Sequence, residues 1–437
     1  MSNELWRKGA LELAGMIARK EVSSRDVVAA HLARIDEVNP WLNAVVRRWD
    51  DASLAAADAA DKAVAAGDSL GVLHGVPVTV KENIDLAGTP TTQAVVFLAD
   101  AVSTSDAPLV QRARAAGAIP IGRTNLPDLG LRITTESSLH GVTHNPWHPG
   151  RTAGGSSGGE GSALASGMSP LGFGNDIGGS LRNPATCCGI TSIKPTTGVV
   201  PWATEIPPQD PGIAAQLMLT DGPMARHVAD VRAGLLAIAG AHDRDPRAVP
   251  VVLADRAQGR ALRVAVCAAP PAGSTHAEVA AAIQAAGDAF SNAGAHVTEA
   301  VPASFQRAVE LWGLILNEEL RVQRPLLEMV MGDDGKRFLG FADEVYPPID
   351  VATLMLAFGA RNPVDREWHE FPTASEGLLV PTTTQPPIEP AAGIVPGAAA
   401  PASRPCLPLT SWTVGNQRRS GTSRTSSITR TTSLVAT

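Results

Sequence analysis

The chain has 437 residues, a length expected of two or three average domains or of one large α/β unit. Its 36 basic and 43 acidic residues give a net charge of −7 with neutral histidines, which argues against a general nucleic-acid binder. A hydrophobic content of 44% excludes wholesale disorder, and four cysteines are too few for a disulfide scaffold. Residues 1–20 are charged throughout, so neither a signal peptide nor a membrane span is expected, and a soluble protein in the reducing cytoplasm is.

The N-terminal part of the chain alternates between helix and strand patterns. A capping-like start, apolar stripes and terminal Gly or Pro residues predict three helices, at 23–40, 52–66 and 108–116. Asn39-Pro40 is expected to end the first helix, because proline disfavours helical geometry in the residue before it. Two short β-branched runs predict buried strands, GVPVTVKENI (75–84) and AIPIGRT (118–124).

The same alternation continues in the C-terminal half. Strands are predicted at 262–267, 295–302 and 377–384, the last as a core strand, and helices at 276–293 and 304–331. Strands interleaved with helices predict an α/β fold in which a mixed β-sheet is flanked by helices on both faces. Residues 1–385 are interpreted as one domain. The segment 386–437 is rich first in Pro and Ala and then in Ser, Thr and Arg, a composition typical of a disordered tail.

The chemistry-bearing residues lie in the glycine-rich middle of the chain. GGSSGG (154–159) places two hydroxyls within a run of glycines, and DIGGS (176–180) places another serine after two glycines. Glycines let a backbone come close to a substrate atom, and consecutive N–H groups in such a turn can bind a developing oxyanion. Lys81 follows the apolar strand VPVTV. Taken singly, these features are more often a flexible loop, a helix cap and a surface lysine.

In combination they are specific, and the chain resembles the amidase signature family. The resemblance begins near 23–46, is strongest over GVPVTVKENIDLAGTPTT (75–92) and over 141–198, and continues weakly through GLLVPTTTQPP (377–387). The lysine and the two serine loops occur in the family's order and with its spacing. The resemblance implies an amidase-signature fold and hydrolysis of an amide to an acid and ammonia or an amine.

The resemblance also implies a role for each site residue. Ser180 would be the nucleophile, Ser156 the bridging serine on a cis peptide after Gly155, and Lys81 the base. The oxyanion hole would consist of the main-chain N–H groups of Ile177, Gly178, Gly179 and Ser180. No metal and no organic cofactor is expected. The expected partner is a small amide substrate, without nucleic acid or membrane, and a homo-oligomer is compatible with the sequence.

A lysine can act as this base only when it is neutral. Its reference pKa is about 10.4, and burial behind the Val76–Val80 strand is expected to lower that pKa by disfavouring the ammonium form. A serine hydroxyl becomes a good nucleophile once a base accepts its proton. Ser156 would then relay the proton from Ser180 to Lys81 and back to the leaving amine, through an acyl-enzyme on Ser180.

Three other kinds of site are less favoured by the sequence. GGSSG (154–158) fits the nucleophile elbow of α/β-hydrolases, with Ser156 attacking and Asp365 and His369 as later partners, but the preceding RTAGG does not read as a strand. His140, His144 and His148 have the spacing of a metal-binding helix face, but Gly141, Pro146 and Pro149 break any helix there. GFGNDIGG (172–179) falls short of a dinucleotide-binding fingerprint.

Two alternatives within the family remain open. One is a component of a tRNA-dependent amidotransferase, although such relatives usually carry Asp-Thr-Gly-Gly-Ser where this chain has DIGGS (176–180). The other is an inactive homologue, because the family's usual continuation after a segment like TSWTVGNQ (410–417) is replaced here by RRSGTSRTSS. Such a C-terminal replacement would remove a core strand and expose a sheet edge.

Overall fold

A computed structural model describes residues 2–207, 210–251, 260–371 and 375–390. Within these ranges the chain forms twelve α-helices and eleven β-strands. The helices are α1 (Ala10–Ala18), α2 (Ser24–Leu42), α3 (Asp50–Ala66), α4 (Pro108–Ala115), α5 (Gly158–Ala165), α6 (Arg182–Cys188), α7 (Ile213–Met218), α8 (Val228–Ile238), α9 (Ala277–Asn292), α10 (Phe305–Val330), α11 (Asp333–Val345) and α12 (Val351–Glu370). The strands are β1 (Val45–Arg48), β2 (Pro77–Lys81), β3 (Ile119–Thr124), β4 (Glu136–Ser137), β5 (Gly141–Val142), β6 (Leu171–Asp176), β7 (Thr191–Ser192), β8 (Thr220–Ala225), β9 (Arg263–Val266), β10 (His296–Glu299) and β11 (Gly377–Leu379).

The largest sheet has six strands in the order β1-β3-β2-β6-β8-β7. Its centre, β3-β2-β6, is parallel, whereas β1, β8 and β7 pair antiparallel with their neighbours. The predicted α/β fold with a mixed sheet between helices is therefore confirmed. Because β2 and β6 are parallel neighbours, their carboxyl ends, at Lys81 and Asp176, lie at the same edge of the sheet, where ligand sites of α/β proteins are commonly found.

The two faces of β2 have different surroundings. Val76, Val78 and Val80 belong to one large apolar cluster, which also contains residues of α1, α4 and α8. Side chains alternate along a strand, so Thr79 and Lys81 point to the opposite face. Helix α5 covers that face, since its Glu160 accepts a hydrogen bond of 2.8 Å from the Thr79 hydroxyl. A polar layer is thus enclosed between β2 and α5.

A second sheet lies outside this core sheet. It has three parallel strands in the order β10-β9-β11. The prediction that 377–384 forms a core strand is correct for the strand and wrong for its place. β11 covers only Gly377–Leu379, is half-buried, and pairs with β9 rather than with the six-stranded sheet. The alternation pattern identifies a strand but carries no information on its partner.

Most of the predicted helix boundaries are confirmed. Gly67 ends α3 in the left-handed conformation, with φ of 77°, and the helices at 108–116, 276–293 and 304–331 are present as α4, α9 and α10. The predicted stop at Asn39-Pro40 is wrong, because α2 continues to Leu42 and ends at the left-handed Asn43. Pro40 stands in the last turn of α2, where its missing N–H removes only one helical hydrogen bond.

The predicted tail lies largely outside the described residues, as does the segment 410–437 on which the C-terminal alternative depends. Residues 386–390 are described, and here the structure differs from the predicted boundary at 385. The Thr152 N–H donates to the Ile388 carbonyl at 2.9 Å, and the Arg151 guanidinium donates to the Pro387 carbonyl at 3.1 Å. Among the described helices, none has both the length and the apolar character needed to cross a bilayer.

Candidate active site

Lys81 ends β2 in the enclosed polar layer, and its side chain is fully buried. Its Nζ lies 2.7 Å from Ser156 Oγ and 2.7 Å from Asn175 Oδ1. Burial lowers the pKa of Lys81 to about 7, against the opposing charges of Asp176, Asp221 and Glu160, which favour the ammonium form. A substantial share of Lys81 is therefore neutral near pH 7, as a general base must be.

Ser156 lies in the loop directly before α5. The peptide bond between Gly155 and Ser156 is cis, in agreement with the resemblance. Only 2% of Ser156 is exposed, so its hydroxyl is held in the interior against the Lys81 amine. A buried hydroxyl hydrogen-bonded to a neutral amine can pass a proton to it without solvent taking part.

Ser180 lies in the turn between β6 and α6. The Ser157 N–H donates to the Ser180 carbonyl at 3.2 Å, which joins the two serine loops directly through their backbones. Ser180 is partly exposed, whereas Ser156 is buried. The structure therefore places Lys81, Ser156 and Ser180 in one region, ordered from the interior towards the surface.

Asp176 holds the turn that carries Ser180. Its carboxylate accepts from the Gly179 N–H at 2.7 Å, from the Leu181 N–H at 3.1 Å, and from the Arg182 guanidinium through two contacts of 2.9 Å. Burial would raise the pKa of Asp176, but Arg182, Lys194 and the Gly179 N–H outweigh it and hold this pKa below its ordinary range. The buried Asp176 anion thus fixes the main chain of the turn.

This anchoring differs from the predicted oxyanion hole in one respect. The Gly179 N–H donates to Asp176, so it is engaged within the protein rather than facing a substrate. The N–H groups of Ile177, Gly178 and Ser180 are the other three predicted donors, and they belong to the same turn. The candidate oxyanion hole is therefore reduced to these three groups.

Helix α10 packs over the same turn. The Trp312 Nε1–H donates to the Ile177 carbonyl at 2.9 Å. A Cβ built on Gly178 would lie 2.3 Å from the Trp312 ring, so only glycine fits beneath the indole. Trp312 also belongs to an apolar cluster of α7, α10 and α12 side chains, against which Ile177 packs. Trp312 was not predicted as a site residue, because nothing in the sequence links this tryptophan to a turn so far away in the chain.

Three further polar residues near Lys81 were also missed. Asn175 accepts from Lys81, and Asp221 lies directly opposite Asn175 in the β6–β8 ladder. Burial raises the pKa values of both Asp221 and Glu160 to about 8, and the charge of Lys81 opposes the shift in each case. Polar residues within otherwise apolar strands were the available signal for Asn175 and Asp221.

The structure does not assemble the nucleophile elbow. His369 is exposed in the last turn of α12, whereas Ser156 is buried and hydrogen-bonded to Lys81. The residues before Ser156 form no strand, as the sequence predicts.

The predicted absence of a histidine helix is confirmed, because His140, His144 and His148 lie in turns and a short bridge. His140 Nε2 lies 2.5 Å from Glu82 Oε2. In the part of the chain that the structure describes, no three His, Cys, Asp or Glu side chains are grouped so as to hold a metal ion.

Known proteins share both this sequence and this fold. A family model described as amidase matches residues 26–340. The indoleacetamide hydrolase of Bradyrhizobium diazoefficiens is 39% identical over 383 residues, covering 87% of this chain and 73% of the relative. One component of the glutamyl-tRNA(Gln) amidotransferase of Salinispora arenicola is 34% identical, covering 82% of this chain and 76% of the relative.

Solved structures agree with the sequence relatives. A bacterial aryl acylamidase of the amidase signature family superposes with a TM-score of 0.75 at 26% identity, over 89% of this chain and 82% of that chain. The matched family model, the relatives and this superposition together show that the chain belongs to the amidase signature family and is an enzyme that hydrolyses amide C–N bonds.

Proposed function

We propose that the chain hydrolyses its amide through a serine acyl-enzyme, with Ser180 as nucleophile, Ser156 as proton relay and Lys81 as base. The observation that carries this proposal is the 2.7 Å contact between Lys81 Nζ and Ser156 Oγ in the interior, next to the partly exposed Ser180. The lowered pKa of Lys81, about 7, supports the role of base.

Acylation in this scheme is a balanced set of proton transfers. Ser180 Oγ attacks the carbonyl carbon and gives its proton to Ser156 Oγ, while the Ser156 proton passes to the lone pair of Lys81. The oxyanion accepts hydrogen bonds from the N–H groups of Ile177, Gly178 and Ser180. When the C–N bond breaks, the leaving nitrogen takes a proton from Ser156, which recovers one from Lys81.

Deacylation uses the same relay with water in place of the serine. The water attacks the ester carbonyl and passes its proton through Ser156 to Lys81. As the second tetrahedral intermediate collapses, the proton returns through Ser156 to Ser180 Oγ, and the carboxylic acid leaves. Each group ends in its starting protonation state, so the cycle needs no other reagent.

We propose an arylacetamide as the substrate class. The Bradyrhizobium relative is an indoleacetamide hydrolase. The Ser180 turn is bordered by an apolar cluster that includes Trp312, Leu311 and Met218, and Ile177 of the turn packs against it. An apolar wall beside the turn suits an aromatic acyl group better than a charged one.

The test of this proposal is the release of ammonia from indole-3-acetamide by the purified chain. We expect turnover by the isolated protein and a loss of at least about a thousandfold in Ser180→Ala, because removal of the nucleophile leaves only binding and oxyanion stabilisation. Aliphatic amides of similar size serve as comparison substrates. No turnover of any simple amide by the isolated chain would contradict the proposal and favour the amidotransferase alternative, which needs partner proteins.

We also propose that the amidase unit comprises residues 1–385 and that the enzyme acts in the cytoplasm. The match of the family model to residues 26–340 supports the first part. The contact of Thr152 with Ile388 extends the packed unit a few residues beyond 385. The low cysteine count and buried thiols such as Cys187 and Cys188 support a reducing compartment.

A further inference from the structure

Asn175 has a position that the proposed mechanism does not yet use. It lies next to Asp176 on β6, is 6% exposed, and its Oδ1 accepts a hydrogen bond from Lys81 Nζ at 2.7 Å. Its Nδ2 donates to Asn83 Oδ1 at 2.9 Å. The amide therefore has its oxygen towards the lysine and its nitrogen towards acceptors on the other side.

The orientation of this amide decides what the lysine can do. A neutral amine has two N–H donors and one lone pair. With the amide oxygen towards it, the amine donates to Asn175 and keeps its lone pair for the Ser156 proton. With the amide reversed, an Asn175 N–H would occupy that lone pair and block the relay.

Asp221 is placed to prevent this reversal. It is 2% exposed and lies directly across the β6–β8 ladder from Asn175, where side chains on the same face of an antiparallel pair come into contact. The Asn175 side chain hydrogen-bonds to the Asp221 carboxyl, which lowers the pKa of Asp221 against the effect of burial. Charges of Lys81, Asp85 and Asp245 also act on this carboxyl.

We propose that Asp221 is a positioning residue, which keeps the Asn175 amide oxygen turned towards Lys81 so that the lysine lone pair stays available to Ser156. A carboxyl oxygen accepts from the amide N–H groups and repels an amide oxygen, so it favours one of the two amide orientations. The inference rests on the proposed roles of Lys81, Ser156 and Ser180. It adds a residue from β8 to a site otherwise built from β2, α5 and β6.

The test compares Asp221→Ala and Asp221→Asn in amide hydrolysis and in labelling of Ser180 by a fluorophosphonate. We expect Asp221→Ala to lower kcat and the labelling rate about tenfold, with KM within about twofold of the wild type, because the loss falls on proton transfer. Asp221→Asn keeps an amide oxygen that can accept from Asn175, and we expect it to restore activity to within about threefold. Asp221→Leu has a similar branched shape without polar atoms and replaces the alanine variant if that one does not fold.

Asp230→Ala is the matched control. Asp230 is also 2% exposed, and its carboxylate accepts from the Leu11 N–H at 2.9 Å, away from the site. We expect Asp230→Ala to lower the melting temperature while kcat of the folded protein stays unchanged.

Two results would overturn the inference: Asp221→Ala that loses stability but keeps the wild-type kcat, or Asp221→Asn that is as impaired as Asp221→Ala. A double-mutant cycle gives a separate criterion, since Asn175→Ala combined with Asp221→Ala should be no slower than Asn175→Ala alone, and additive losses would contradict action through Asn175. Failure of the wild type to label at Ser180 would instead overturn the proposed function itself.

Discussion

Glu160 is the second buried carboxyl group near Lys81, and its environment explains both its burial and its protonation. It lies on α5 and accepts from the Thr79 hydroxyl, above Gly172 of β6. A Cβ at Gly172 would lie 2.6 Å from the carboxyl group, so the glycine makes room for it. Burial raises the pKa of Glu160 to about 8, and a neutral carboxyl leaves the nearby Lys81 amine free to lose its proton.

The raised pKa of Glu160 gives a pH-dependent contribution to stability. The folded state holds the Glu160 proton up to about pH 8, whereas the unfolded state releases it near pH 4.5. The stabilisation is therefore fully present below about pH 4.5 and is lost as the pH rises through 8. We expect the stability of the wild type relative to Glu160→Gln to fall by a few kcal/mol between pH 5 and pH 8.5. Denaturant unfolding at several pH values measures this difference.

The exposed Glu278 is the control for this measurement, and we expect Glu278→Gln to follow the wild-type pH dependence. A stability difference between wild type and Glu160→Gln that stays constant over this pH range would show that Glu160 is ionised in the folded protein.

At the level of residues, the sequence identifies the reactive groups but not their supports. Lys81, Ser156 and Ser180 stand in local motifs that can be recognised without a structure. Asn175 and Asp221 support Lys81 only because β6 lies between β2 and β8, and strand order is not written in local sequence. The Gly179 N–H was expected to face the substrate, since a motif shows which donors are close together but not which acceptors reach them first.

At the level of elements, the turn after β6 is held from three directions. Asp176 accepts from its N–H groups, the Ser157 N–H donates to the Ser180 carbonyl, and Trp312 of α10 donates to the Ile177 carbonyl. The three contacts fix the direction of the N–H groups that are proposed to bind the oxyanion. Pre-oriented donors of this kind stabilise a transition state without reorganisation.

The contribution of Trp312 can be measured with a single substitution. Trp312→Phe keeps an aromatic ring over Gly178 but removes the Nε1–H that donates to the Ile177 carbonyl. We expect kcat for amide hydrolysis to fall about tenfold with little change in KM, because a misaligned oxyanion hole affects the transition state more than the bound substrate. Steady-state kinetics at fixed pH test this expectation.

Trp147→Phe is the matched control, since the Trp147 Nε1–H donates to the Cys188 carbonyl at 2.7 Å, outside the turn. We expect this variant to keep the wild-type kcat. Equal losses in the two tryptophan variants would mean that Trp312 acts only through general stability.

The elements that the sequence predicted well are those with strong punctuation, such as α3 before Gly67 and α4 before Gly117. The β6 strand, LGFGND, was not predicted, because its two glycines resemble a loop. In the structure these glycines are required by close neighbours: Gly172 admits Glu160, and a Cβ at Gly174 would lie 2.7 Å from Ser157 Oγ. Glycine inside a strand can thus mark close approach rather than disorder.

At the level of the whole molecule, the site exists because distant segments meet at one edge of the six-stranded sheet. β2 supplies Lys81, the loop before α5 supplies Ser156, and the turn after β6 supplies Ser180. The alternation of helices and strands is enough to predict the layered fold. It cannot predict that 377–384 joins a separate three-stranded sheet, because partner choice depends on burial across the whole chain.

The most direct measurement of the central claim is the rate at which a fluorophosphonate labels the protein, followed over pH and mapped by mass spectrometry. We expect labelling at Ser180, with a rate that falls about tenfold per pH unit below about pH 7 and levels off above it, because Lys81 must be neutral to accept the proton. Lys81→Ala should lower the plateau rate by roughly a thousandfold. Labelling at another residue, or a Lys81→Ala protein that labels at the wild-type rate at neutral pH, would contradict the account.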